Sequence, residues 1–257
     1  VEDTMNVNEI VISEIQGKVC TIRFFNPKGN ALSTLHLLRL TKEFNDISYN
    51  DNINLVVLKS GGEGAFCGGA SIDELIKFDR FEKAKEFFFA FGKLLLTMIR
   101  CQKPIVARVH GKIVGGGIGL VSACDYSIAK KDASLRLSEL TIGIGPFVIS
   151  PFVIKRIGIS AFTHLSLDTQ WRDAEWGKNF GLYSKVVETT EELDREIGKI
   201  ADDISKFNLN SLIKLKEIFW GNTGDWDHLI DERAEISARL ILSEIASGRL
   251  QKIIGSE

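Results

Sequence analysis

The chain has 257 residues, 44% of them hydrophobic and 26% charged, with a formal net charge of -2. That length holds one large core, or a core with a small appended domain. The near-neutral balance, with no run of five like charges, gives no field for nucleic acid or an anionic membrane surface.

Four cysteines, Cys20, Cys67, Cys101 and Cys124, and four histidines are dispersed without metal-type spacing. They read as reduced, buried thiols in a cytoplasmic protein, with no metal site expected. Val1-Glu2-Asp3-Thr4-Met5 lacks the basic and apolar stretches of a secretory leader. Apolar stretches fall well short of the ~18–20 residues of a membrane span.

In chain order, Ile10-Val11-Ile12 and Val19 to Phe24 flank Gln16-Gly17-Lys18, which predicts a β-hairpin. Ser33 is placed to cap a helix whose apolar face is Leu37, Leu40, Phe44 and Ile47. Asn54 to Lys59 is a short apolar run of buried-strand type. A glycine-rich loop follows, from Gly61 to Ala70, and residues 71 to 100 are helical in composition. Lys103-Pro104 precedes the strand Ile105 to Val109, and Gly115-Gly116-Gly117 opens a buried helix reaching Cys124. Asp125 to Ala129 again reads as strand. Up to about residue 190 the pattern alternates strand, loop and helix, which argues an α/β fold with parallel strands. From 191 to 257 it turns helical: Leu193, Ile197, Ile200 and Ile204 share one helix face, and Leu212–Trp220 and Trp226–Ile245 continue the series. The expected organisation is a core over 1–190 and a helical subdomain over 191–257.

The two glycine loops suit one chemical task. Glycine lets the backbone approach a ligand closely and turn its N–H groups toward an acceptor. The start of a helix adds free N–H donors. Two such donors on one oxygen form an oxyanion hole, worth roughly 3–4 kcal/mol per donor. Neither loop matches GxxxxGK[ST] or fits GxGxxG with a later acidic residue, so nucleotide motifs are not supported.

Phe66-Cys67-Gly68-Gly69-Ala70, followed by Asp73-Glu74-Leu75, resembles the F-x-A-G-A-D-[LI] loop of the crotonase (enoyl-CoA hydratase/isomerase) family. Lys103 to Gly111, then Gly115-Gly116-Gly117, then Ala123-Cys124-Asp125, resembles that family's K-P-x-I-A-x-V-x-G…G-G-G…A-C-D signature. Asn30-Ala31-Leu32 and Leu137-Ser138-Glu139 match two further segments. The resemblance implies a crotonase-like β/α spiral with a C-terminal helical trimerisation region, and a homotrimer or hexamer. It implies an acyl-CoA thioester substrate, with coenzyme A entering as part of the substrate and no separate cofactor. Carried over residue by residue, the Gly68 and Gly116 N–H groups would hold the thioester oxygen and Glu139 would move protons. Lys28, Ala31, Ala65, Cys67, Gly69, Ala70, Gly115 and Gly119 would line the substrate and coenzyme A path.

Three departures matter. Family hydratases carry a second glutamate two residues after the glycine triplet, where this chain has Gly119. Ser71 replaces the aspartate of the first loop, and Gly145 to Phe152 stands where many members read P-G-x-G-G-T-Q-R-L. The Ile149-Ser150-Pro151-Phe152 variant resembles a branch acting on branched, carboxylated enoyl thioesters such as 3-methylglutaconyl-CoA. The expectation is therefore an enoyl-CoA hydratase or dehydratase. Its alternatives are a single-glutamate Δ3,Δ2-enoyl-CoA isomerase, a decarboxylase and a silent acyl-CoA-binding protein. Leu135, Leu137 and Leu140 would give Glu139 an apolar setting and a raised pKa. His110, His164, Arg108, Arg136, Trp171, Trp176, Trp220 and Trp226 read as packing or surface groups, Ser138 as a neighbour of Glu139, and Cys67 as a spacer.

Overall fold

The computed structural model describes residues 10–254. The leader reading of residues 1–5 lies outside them.

β1 (Ile10–Gln16) and β2 (Val19–Phe25) form the expected antiparallel hairpin about Gly17. Ser33 caps α1 (Thr34–Ser48) by accepting the His36 N–H, and Leu37, Leu40 and Phe44 are fully buried. Each such side chain contributes roughly 1.5–3 kcal/mol by leaving water. β3 (Leu55–Ser60) leads through the first glycine loop to the short α2 (Ile72–Leu75) and the long α3 (Phe81–Arg100). β4 (Ile105–Val109), β5 (Lys112–Val114), α4 (Gly116–Ser122), β6 (Tyr126–Lys130) and β7 (Ser134–Arg136) follow. A 3-10 turn, Glu139–Ile142, then precedes α5 (Ser150–Leu167), which breaks at Gly158. β8 (Arg172–Asp173), α6 (Ala174–Asn179), β9 (Lys185–Val187), α7 (Thr190–Ser205), α8 (Leu209–Phe219), α9 (Trp226–Ile241) and α10 (Glu244–Ile254) complete the order.

The strands form a six-stranded sheet, β1-β2-β3-β4-β6-β9, parallel after the first hairpin, and a small sheet, β5-β7-β8. The chain winds alternately through the two. The sequence reading missed the small sheet. Its strands are two or three residues long, too short for a period-2 pattern to stand out. α7 covers one face of the large sheet: of the predicted face, Leu193 and Ile197 are buried and Ile200 and Ile204 pack partly buried beside them, while Ala201 is buried in addition. α1 and α3 pack in the main core on the other face.

α9 and α10 give Ile230, Ala234, Ala238, Ile241, Ala246 and Leu250 to the same buried cluster as β2, β3 and β4. The expected division at residue 190 thus follows the change from strands to helices without separating two cores. α8 is tied down by charge. Lys216 Nζ donates to the Met98 and Lys103 carbonyls, each at 2.9 Å, and pairs with Asp125 at 2.9 Å. Asp125 also accepts from Ile105 N–H and Trp220 Nε1, each at 2.7 Å. Both charged side chains are at most 5% exposed. Among the described residues, no helix is long and apolar enough to cross a membrane.

A buried ion pair that loses one partner leaves the other charge stranded, at a cost of about 3–5 kcal/mol. Lys216→Met is expected to lower the unfolding free energy by that amount, with Asp125→Asn in the same chain recovering part of it. Urea denaturation of both variants checks this.

Candidate active site

A cavity lies between the two glycine loops, the Glu139 turn and α9. Its wall includes Gly68, Gly69, Ala70, Gly115, Gly116 and Glu139 from the sequence expectation. The remaining lining is largely apolar, including Phe88, Phe91, Phe147, Val148 and Ile149, with Ser138 and Ser237 adding polar groups. Glu139 is the one ionisable side chain among the lining residues.

The first loop is pinned on both sides. Cys67 N–H donates to Lys112 carbonyl and Val114 N–H donates to Cys67 carbonyl, so the loop runs beside β5. On its other side, Leu32 N–H donates to Gly69 carbonyl at 2.7 Å and Ser71 N–H donates to Leu32 carbonyl at 2.9 Å. A trans peptide aims its C=O and N–H in opposite directions. With Gly69 carbonyl turned to Leu32, Ala70 N–H is turned away from it, toward the cavity that Ala70 lines. Gly69 reaches this shape with φ +87°, and a Cβ there would stand 2.8 Å from Val114 carbonyl. Glycine is required on both counts.

This arrangement corrects the expected donor pair. Gly68 N–H already donates to Gly29 carbonyl at 2.9 Å and is not available to a ligand. The exposed donor in the first loop is Ala70 N–H, two residues on. Sequence spacing placed the loop but did not reveal which peptide in it would be spent internally. Gly116 N–H opens α4, where the first turn leaves N–H groups without intrahelical partners. Neither Ala70 N–H nor Gly116 N–H has a hydrogen-bond partner among the described residues. Two such donors suit an oxygen that gains negative charge.

Glu139 stands next to them. A Cβ on Gly115 would lie 2.9 Å from Glu139 Oε1. Oε2 is buried and accepts no hydrogen bond. Burial pushes the Glu139 pKa up from an ordinary 4.5 to about 7, against the lowering effect of its own and Ser138's backbone N–H groups. Leu135 and Leu137 are buried as expected, but Leu140 is 41% exposed and faces outward. The apolar surroundings on that side come from the cavity wall instead.

Other expected residues lie elsewhere. Lys28, Ala31, Ala65 and Cys67 are outside the cavity lining. Lys28 Nζ pairs with exposed Asp73 at 2.5 Å, and Ala65 carbonyl accepts from Asn30 Nδ2 at 2.7 Å. Cys67 is fully buried, and desolvation holds its thiol up to about 12, so it is a packing residue. Gly119 is also absent from the lining, because Ile149 covers it: a Cβ at 119 would stand 2.5 Å from Ile149 Cγ2. The space that a side chain at 119 would need is filled by apolar carbon. Arg108 pairs with Asp194 at 2.5 Å, and Arg136 lies over Trp171 at 6.0 Å, so neither lines the cavity. Among the described residues, no group of three or more histidine, cysteine or acidic side chains could hold a metal ion.

Two outcomes follow from these contacts. Because the folded pKa of Glu139 is raised, its ionised form opposes folding. The stability present below about pH 4.5 is lost as pH rises through about 7, reaching about 3 kcal/mol. Glu139→Gln is therefore expected to match the parent near pH 4 and exceed it by about 3 kcal/mol at pH 8. Urea unfolding at both pH values measures this, and an equal difference at both would contradict it. Gly119→Ala is expected to cost about 1–3 kcal/mol through overpacking. Adding Ile149→Ala should relieve that cost, and thermal unfolding of the single and double variants tests the pairing.

The family model for enoyl-CoA hydratase/isomerase matches residues 14–244. A short-chain-enoyl-CoA hydratase of Clostridium acetobutylicum is 29% identical over 189 residues, covering 73% of this chain and 72% of that protein. A peroxisomal Δ(3,5)-Δ(2,4)-dienoyl-CoA isomerase of Arabidopsis thaliana is 26% identical over 190 residues, 68% of this chain and 67% of that protein. The crystal structure of an enoyl-CoA hydratase from Mycobacterium avium superposes with a TM-score of 0.84 at 26% identity, covering 98% of each chain. One from Bacillus halodurans has the same fold at a TM-score of 0.86 and 20% identity, covering 94% of this chain and 99% of the other. With a match that spans most of its length, a shared fold and a cavity built from the two glycine loops, this chain belongs to the enoyl-CoA hydratase/isomerase family.

Proposed function

We propose that the protein adds water to, or removes it from, an acyl-CoA thioester conjugated at C2–C3, with Glu139 as its single acid–base group. The carrying observation is the Glu139 carboxyl, buried beside Gly115 and Gly116 in an otherwise apolar cavity. In this reading the thioester oxygen lies against Ala70 N–H and Gly116 N–H. Ionised Glu139 takes a proton from water as its oxygen bonds to C3, and the electron pair of the double bond moves to the thioester oxygen. The enolate then takes that proton from Glu139 at C2. One carboxyl serving both steps delivers water and proton to the same face. A group titrating near 7 suits both roles at neutral pH.

The lining residues include no lysine or arginine. That supports an uncharged acyl group and gives no support to the carboxylated, 3-methylglutaconyl type suggested by the segment at Ile149. A second reading has one observation in its favour. Ile149 fills the space beside Gly119, so no second carboxylate stands there to activate water. A lone Glu139 is sufficient to move a proton between C2 and C4, which is double-bond migration. Relatives named for hydratase and for isomerase activity are compatible with either reading.

Incubation with crotonyl-CoA, 3-methylglutaconyl-CoA and a 3-enoyl-CoA separates them. Hydration of crotonyl-CoA is expected, with the rate rising through about pH 7 as Glu139 ionises and the carboxylated substrate disfavoured. Migration of the 3-enoyl double bond without hydration would replace the first reading by the second. Glu139→Gln is expected to lower kcat by about 10²–10⁴-fold. Turnover at the parent's rate in that variant would remove Glu139 from the mechanism.

A further inference from the structure

We infer that α10 belongs to the proton-transfer apparatus, with Arg249 as the positioning residue that holds the turn bearing Glu139. This rests on the reading of Glu139 as the proton carrier.

Glu139 begins a single 3-10 turn of four residues. The turn's own bonds include Thr141 N–H and Oγ1–H to Ser138 carbonyl, Gly143 N–H to the Leu140 and Glu139 carbonyls, and Ile144 N–H to Glu139 carbonyl. Hydrogen bonds of this kind have poor geometry, and one turn is a weak support by itself. Proton transfer needs the carboxyl held to within about 0.5 Å. The outer side of the turn is open at Leu140, so the restraint has to come from another element.

α10 meets that need at two points. Arg249 Nη1 donates to Leu140 carbonyl at 2.6 Å, across 109 residues of sequence. No carboxylate pairs with Arg249 among the described residues, and its charge is directed at this carbonyl. A cation near the carbonyl end of a helical turn is favourable. One turn earlier in α10, fully buried Ala246 packs on Gly143, the residue closing the turn with φ +87°. A Cβ at 143 would stand 3.1–3.3 Å from three Ala246 atoms, so the two backbones are in direct contact. Leu250, 2% exposed, anchors α10 in the core. α9 brings Ser237 to the cavity wall and is joined to α10 through Ser243, whose Oγ accepts Ala246 N–H at 3.3 Å. The last two helices therefore wall the cavity from within and brace the Glu139 turn from without.

The experiment compares the full chain with Arg249→Ala and Arg249→Lys. It reads kcat and KM on crotonyl-CoA, and the titration of Glu139 by carbon NMR of carboxyl-labelled glutamate, assigned by subtraction of Glu139→Gln. Without the Arg249 contact the turn loosens and water reaches Oε2. Arg249→Ala is expected to lose about tenfold in kcat at unchanged KM, with the Glu139 midpoint moving down by about one pH unit as hydration returns. Arg249→Lys should recover much of both. A midpoint that stays where it is in the parent would overturn the inference, whatever happens to kcat. A parent chain that titrates near 7 yet acts on no enoyl thioester would defeat the proposed function, while the titration would still decide the role of Arg249.

Discussion

The site depends on the orientation of one peptide plane. Leu32 holds the carbonyl of Gly69, and planarity then turns Ala70 N–H toward the cavity. The parallel contact between Cys67 and Ile113 sets the same loop beside the strand that leads into Gly115 and Gly116. Both donors are thereby fixed before any ligand arrives. Preorganised N–H groups stabilise developing negative charge without a reorganisation cost. The winding of the chain between its two sheets serves to place these loops side by side.

In the proposed reading, the proton-handling side is built on a different principle. The donors gain from being fixed, whereas Glu139 gains from lacking partners. Its Oε2 receives no hydrogen bond, and burial among apolar side chains keeps the ionised form costly. A carboxyl that is strongly satisfied would stay ionised and transfer protons poorly near neutral pH. Ile149 extends this logic by filling the neighbouring space at Gly119 with carbon, leaving one ionisable group in the wall. The same burial that tunes Glu139 reduces the stability of the fold above pH 7, an instance of strain concentrated at a working site.

Helices far along the chain make this economy stable. Lys216 on α8 ties the end of α3 to Asp125 at the start of β6, and α9 and α10 close the main core over the cavity. α8 also leaves Leu215, Ile218 and Phe219 largely exposed, unlike its buried Leu212. The C-terminal region is thus not an appendage to the layered part but a share of its core.

The sequence by itself determined the elements whose periodicity is long: α1 through Leu37, Leu40 and Phe44, the buried strands, and α7 through Leu193 and Ile197. It also drew attention to both glycine loops, because special backbone geometry is written in residue type, whereas Glu139 stood out only through the resemblance of Leu137-Ser138-Glu139 to a family segment. It did not reveal β5, β7 and β8, which are too short to carry a pattern. Nor did it show that Gly68 N–H is bonded to Gly29, that Ile149 covers Gly119, or that Arg249 reaches Leu140. These are contacts between residues distant in sequence, and no local propensity records them. Tertiary structure alone decided which N–H groups remain for a ligand, which wall is closed, and what braces the turn that carries Glu139.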